Sequence, residues 1–142
     1  MPPPESSAID DAIIAQLMAD ATLEALTPDG VYLSEAPPGS TRFVIVSLVE
    51  AMDVAIFGGR AIESALYQVK AVVQATGGGV VQQAAARIDA LLEDVPLTVP
   101  GYAWMTTHRV QRLEPTNEPD ESDPRISWQH SGGRYRVEMS IA

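Results

Sequence analysis

Apolar residues recur at a spacing of four near the start of this chain and at a spacing of two at its end. That change of period confines the chain to a fold that packs helices on a β-sheet. Ile9, Ile13, Leu17 and Ala21 stand four apart, with Ile14, Met18 and Ala25 beside them. They predict one helix of about 18 residues with a single apolar stripe. Ser6 or Ser7 is placed to cap it, and Asp10 and Asp11 suit the positive end of its dipole. Thr27-Pro28-Asp29-Gly30 ends it as a turn. At the other end, Tyr135, Val137, Met139 and Ile141 alternate with Arg134, Arg136, Glu138 and Ser140, which predicts a strand with one buried face.

The intervening segments fill in the sheet. Val31-Tyr32-Leu33 reads as a short strand and Ala36 to Ser40 as a loop. Arg42 to Glu50 is nearly all apolar, so a strand covered on both faces is expected there. Residues 52–60 read as a loop or hairpin tip, and Ile62 to Ala75 as a long strand with Tyr67, Val69, Ala71 and Val73 on one face. Gly77-Gly78-Gly79 breaks that strand. A second helix follows over Val80 to Glu93, with Val81, Ala84, Ala85, Ile88, Leu91 and Leu92 as its buried stripe. Leu97-Thr98-Val99 is a short extended piece between prolines. Tyr102 to Leu113 reads as a strand, Pro115 to Pro124 as an acidic loop, Ile126 to His130 as a strand continuation, and Ser131-Gly132-Gly133 as a turn. The expected architecture is α+β, with two helices packed on one face of an antiparallel or mixed β-sheet in the order α-β-β-β-α-β-β.

The 142 residues suit one domain, expected over residues 6–142 behind a flexible, proline-rich arm at residues 1–5. The first residues carry neither the basic nor the apolar region of a signal peptide, and no apolar run is long enough to span a bilayer. The formal net charge of −10, with Lys70 the sole lysine, argues against wrapping nucleic acid.

Catalytic patterns are missing. Without cysteine there is no thiol nucleophile or thiolate metal site. His108 and His130 show no metal-ligand spacing, and Gly77-Gly78-Gly79 is followed by Val80-Val81-Gln82 rather than the Gly-Lys-Ser/Thr of a phosphate loop. Asp120-Glu121-Ser122-Asp123 lacks the alternating ligands of a calcium loop. The expectation is a protein that is not an enzyme and takes no metal or cofactor. The interface candidates are Phe57 and Arg60 in the first loop and Glu118, Asp120, Glu121 and Asp123 in the second, with Arg109, Arg112, Arg134 and Arg136 as cations for a neighbouring subunit's acids. A small α+β ligand-binding or regulatory domain is the alternative on composition alone.

From about Ala8 to Ile141 the chain resembles the tail-terminator, or tail-completion, proteins of tailed bacteriophages. The resemblance rests on the Ala- and Leu-containing first helix, Gly30-Val31-Tyr32, the Pro-rich loop Ala36-Pro37-Pro38-Gly39 and the strand Phe43-Val44-Ile45-Val46. It continues through the second helix, Leu97-Thr98-Val99-Pro100-Gly101, and the closing Tyr135-Arg136-Val137-Glu138-Met139. It implies a structural virion protein at the neck, assembled in the bacterial host cytoplasm. Its subunits would form a ring, typically a hexamer, that caps the tail tube, stops tail polymerisation and offers a head-docking surface. The implied partners are further copies of itself, the tail tube protein and a head-completion or connector protein. No membrane is implied, and DNA would only pass through the ring lumen. A neighbouring connector role is the variant of this reading.

Folding without a cofactor has a direct check. Adding zinc, calcium or ATP is expected to leave the thermal unfolding midpoint unchanged, whereas a ligand bound by the native state alone would raise it.

Overall fold

In the computed structural model, which describes residues 4–56, 59–74 and 79–142, the apolar periods become three helices on one face of a five-stranded sheet. The elements are α1 (Ser7–Met18), α2 (Ala21–Leu26), β1 (Val31–Leu33), β2 (Arg42–Ile56), β3 (Gly59–Gln74), α3 (Gly79–Leu92), β4 (Tyr102–Pro119) and β5 (Ser127–Ile141). The sheet order is β1-β2-β3-β5-β4. β1 pairs with β2 in parallel and every other pairing is antiparallel, so the sheet is mixed.

The single long first helix is corrected to two. The chain leaves α1 at Ala19, and Asp20 takes an extended backbone whose carboxylate accepts the Leu23 N–H at 2.8 Å. A short acid that satisfies a free N–H of the next turn is an N-cap, and it restarts the helix at a new angle. Arg87 of α3 then holds the same carboxylate through two bonds, at 2.8 and 2.5 Å.

The core lies between the helices and the sheet. Ile9, Ile13 and Leu17 of α1, Leu23 of α2, and Val81, Ala84, Ile88 and Leu92 of α3 are buried against Val44 and Val46 of β2, Tyr67 to Val73 of β3 at alternate positions, and Tyr135, Val137 and Met139 of β5. Tyr67 and Tyr135 face each other across the β3–β5 ladder. Their hydroxyls leave in different directions, Tyr67 donating to Asp10 of α1 and Tyr135 to Asp89 of α3 at 2.8 Å. Burial, followed by these carboxylates, raises both phenol pKa values, so both remain protonated donors.

Four expectations about strand extent are corrected. β2 is covered on both faces only at its start: Val44 and Val46 are buried under the helices and Ile45 is buried on the opposite face, but Phe43 and Ser47 beside it are partly open and every residue from Leu48 to Ile56 is exposed. The segment at 52–60, expected to be a loop or hairpin tip, is the paired end of a β2–β3 hairpin rather than a loop, with Met52 opposite Ser64 and Ile56 opposite Gly59. The acidic loop is shorter than expected, because β4 stays paired to Pro119 and β5 begins at Ser127. Ser131-Gly132-Gly133 does not turn the chain. It runs inside β5, where a Cβ on Gly132 would stand 2.0 Å from the Val69 carbonyl oxygen of β3. Glycine is there to admit a neighbouring backbone, not to reverse the strand.

The stripe on α3 is narrower than the sequence pattern. Ala85 and Leu91 are half-buried, and Leu91 instead ties α3 to α1 by its carbonyl, which accepts from Gln16 at 3.1 Å. Ile88→Ala is therefore expected to destabilise by about 2–5 kcal/mol through loss of burial and a residual cavity, and Leu91→Ala by clearly less. Urea unfolding midpoints of the two variants test this; equal losses would mean that α3 is rotated.

Candidate functional site

Two hairpins reach out from opposite ends of the sheet. Met52 of β2 is level with Ser64 of β3, Glu138 of β5 and Thr106 of β4, whereas Val73 of β3 is level with Gln129 of β5 and Asn117 of β4. The β2–β3 hairpin therefore forms an arm at one end, and the β4–β5 hairpin forms an acidic tip at the other.

The root of the arm holds a buried carboxylate. Glu63 is 6% exposed and accepts bonds from Tyr102 and, at 2.5 Å, from Ser6 Oγ. Arg60 Nε stands 3.8 Å from Glu63, and Arg60 Nη1 stands 3.8 Å from Asp53. Burial, then the bond to Glu63, raises the Tyr102 pKa. Residues at the start of the described chain close the site: a Cβ on Gly101 would lie 2.6 Å from Pro4 Cβ, and Gly101 holds a φ of +82 that disfavours any side chain. The result is one polar knot joining α1, β3 and β4. The interface candidate Arg60 is half-buried within it, and Phe57 lies outside the described residues.

The acidic tip is organised by Asp120. Its carboxylate accepts the Trp128 indole N–H at 2.9 Å, the Ser122 hydroxyl at 2.7 Å, and the Ser122 and Asp123 amides at 3.1 and 3.0 Å. The Trp128 and Ser122 bonds, with backbone support, lower its pKa to about 2. Asp123 pairs with Arg125, and Glu118 stands 3.4 Å from His130 Nε2. Of the acids proposed for a neighbour, Asp120 and Asp123 thus have hydrogen-bond partners within the chain, while Glu118 is exposed beside His130 and Glu121 is exposed with no ion pair among the described residues.

The four candidate arginines split between the two faces of the sheet. Arg109 is opposite Tyr135 and so on the helix-covered face, where it stands 3.6 Å from Asp89. Arg112 is opposite Gly133 on the same face and helps line a cleft of ≈ 320 Å³ between α3 and β4 with Gln82 and Asp89. Arg134 and Arg136 project from the uncovered face, where Arg134 bonds Gln68 and Arg136 bonds Ser64 and Glu50. The structure therefore brings together Arg109 and Arg112, and separately Arg134 and Arg136, but does not combine the pairs.

Sequence reading missed Glu63, although its signal was present. Extending the face of Tyr67, Val69, Ala71 and Val73 backwards by twos gives Ala65 and then Glu63, a carboxylate in a buried register. It also missed the exposed apolar run of the arm. Among the described residues, Leu48, Val49, Met52, Val54 and Ile56 of β2 are 42–58% exposed.

A family model described as tail completion protein gp17 matches residues 11–138. Among solved structures, a chain of the virion of a native gene transfer agent particle is similar over 94% of this chain and 96% of its own, with a TM-score of 0.66 and 24% identity. A second solved chain is similar over 97% and 96%, with a TM-score of 0.58 and 15% identity. These two likenesses establish the shared fold. Comparison with curated protein sequences gives no match.

The tip carries a pH prediction. Asp120 is held at about 2 against an ordinary 3.8, so its contribution is complete above 3.8 and is lost as pH falls through 2. The Trp128 indole N–H resonance is expected to move over that acid range. Asp120→Ala should abolish the movement, and persistence of the same titration in Asp120→Ala would assign it to another group.

Proposed function

The chain belongs to the tail completion protein gp17 family, and from that premise we propose that it forms a ring on the last layer of the phage tail tube, stops tail polymerisation and presents the surface that joins the head. Membership makes it a structural component of a phage-type tail; the ring, typically hexameric in this class, and its capping action are our reading. The observation that carries it is the pair of hairpins at opposite ends of one rigid sheet. A subunit built this way has one projection for the tube below and one for a connector protein above, while its edges remain for neighbouring copies. In this reading Arg60 and the arm face one partner, and Glu118, Asp120, Glu121 and Asp123 at the tip face the other. Arg109, Arg112, Arg134 and Arg136 serve contacts along the flanks.

The charge supports the same reading. A net charge of −10 keeps DNA from adhering to a lumen through which it must slide. The polar knot at Glu63 holds the arm at a set angle to the sheet, which a ring needs if all copies are to meet the tube alike. Assembly would take place in the host cytoplasm, before the particle is complete.

Particles produced without this chain are expected to carry tails of unregulated length that fail to join heads, and supplying the parent chain should restore both. Tail lengths measured by electron microscopy decide it. A narrow length distribution in its absence would assign termination to another protein.

A further inference from the structure

Residues three apart on a regular strand face opposite sides of a sheet, yet Arg109 and Arg112 share one side. β4 carries an extra residue at Val110: Arg109 is opposite Tyr135, Gln111 is opposite Arg134 and Arg112 is opposite Gly133, so three steps along β4 match two along β5. A bulge of this kind re-aims the side chains beyond it, and here it turns both arginines to the helix-covered face. Gly133 then lets them converge. A Cβ there would stand 2.8 Å from Arg109 Cδ and 3.2 Å from Arg109 Cγ, so the Arg109 stem lies across bare backbone at the level of Arg112.

Both arginines line the cleft of ≈ 320 Å³ between α3 and β4, where Gln82 adds an amide and Ser131 a hydroxyl. Among the described residues, neither guanidinium donates a hydrogen bond, and Arg112 has no ion pair. Arg109 Nη1 comes within 3.6 Å of Asp89, which already accepts the Tyr135 hydroxyl at 2.8 Å. Glu93 is taken up by the Arg109 backbone N–H at 2.5 Å. By contrast, the guanidiniums of Arg87, Arg125, Arg134 and Arg136 all donate to side chains of this chain. The cleft thus gathers two guanidinium groups with donors to spare.

We propose that this cleft binds a carboxylate, the Asp or Glu side chain of a partner protein, gripped between the Arg109 and Arg112 guanidiniums with the Gln82 amide as a further donor. A guanidinium presents a planar fork of N–H groups whose spacing matches two carboxylate oxygens. Asp89 lines the same cleft beside Arg109 and offsets one of the two cations. A single net positive charge remains, which suits one carboxylate rather than a run of phosphates. The chain's net charge of −10 also repels a nucleic acid backbone. This assignment rests on the reading of Arg109 and Arg112 as contact residues of an assembling subunit, and it names the group they take.

The capped peptide acetyl-Glu-Glu-Glu-amide is the probe, and the arginine Nε–H resonances at low salt are the readout. The peptide is expected to shift the Arg109 and Arg112 signals saturably, and its tri-glutamine counterpart to leave them in place. Arg112→Gln should weaken binding about tenfold or more, whereas Arg134→Gln on the uncovered face should not change it. Arg112 is exposed, so its replacement leaves the fold intact, which the melting midpoint verifies. No saturable shift, equal shifts from the tri-glutamine peptide, or undiminished binding by Arg112→Gln would each overturn the site. Inorganic phosphate bound more tightly than the peptide would overturn the carboxylate in favour of a phosphate ligand. Tail lengths keep this assignment separate from termination. Unregulated tails in the absence of the chain, with no peptide binding, overturn the cleft alone; peptide binding by a chain whose absence leaves tail length normal overturns termination alone.

Discussion

Two tyrosines facing each other on adjacent central strands set the rest of the molecule in place. Tyr67 and Tyr135 are each about 1% exposed, and each sends its hydroxyl to an aspartate on a different helix. A buried phenol that fails to find a partner costs about 1–3 kcal/mol, so each bond selects one axial position for its helix. The aromatic rings meanwhile fill the layer between helices and sheet. With α1 registered at Asp10 and α3 at Asp89, the apolar stripes meet β3 and β5 in one arrangement, and Asp20 and Arg87 complete the link between the helices.

That placement of the helices decides what remains uncovered. The helical layer sits over Val44, Val46 and the alternating residues of β3 and β5, so the strands run beyond it at both ends. At the arm, the β3–β5 ladder supports the overrun as far as Ile62, and Glu63 ties its root to α1 and β4. A buried carboxylate held by Tyr102 and Ser6, with Arg60 beside it, is tolerable because its oxygens are satisfied, and those bonds need the arm in one orientation. At the tip, Asp120 does the same through Trp128, whose ring meets Phe43 edge-on at 6.3 Å. Both projections are thus rigid structures built around one carboxylate each.

The candidate site was legible only in part. Alternation placed Tyr135, Val137 and Met139 inside and Arg134 and Arg136 outside, as found. It did not separate Arg109 and Arg112 from Arg134 and Arg136, because the faces of β4 and β5 are related through a pairing interrupted at three points. The acids of the tip looked free in the sequence, yet Asp120 and Asp123 are bonded to Trp128 and Arg125. Side-chain partners within ten residues depend on the turn geometry, and the proline-rich composition of 115–124 does not specify it.

By itself, the sequence determined the centre of each buried stripe, because that follows from the local geometry of a helix or strand: Ile9, Ile13 and Leu17, Ile88, and the alternating residues Tyr67 to Val73 lie where their periods put them, whereas Met18, Ala21 and Ala25 at the stripe's margin are exposed. It also determined the α+β class. Only the tertiary structure decided how far the strands run and which edges stay open. The residues from Ala51 to Ile56 and from Glu114 to Pro119 lack a buried face, and Gly132 and Gly133 look like a turn. They are strands because a neighbouring backbone supplies their hydrogen bonds, and a ladder between residues far apart in the chain leaves no period in either segment alone.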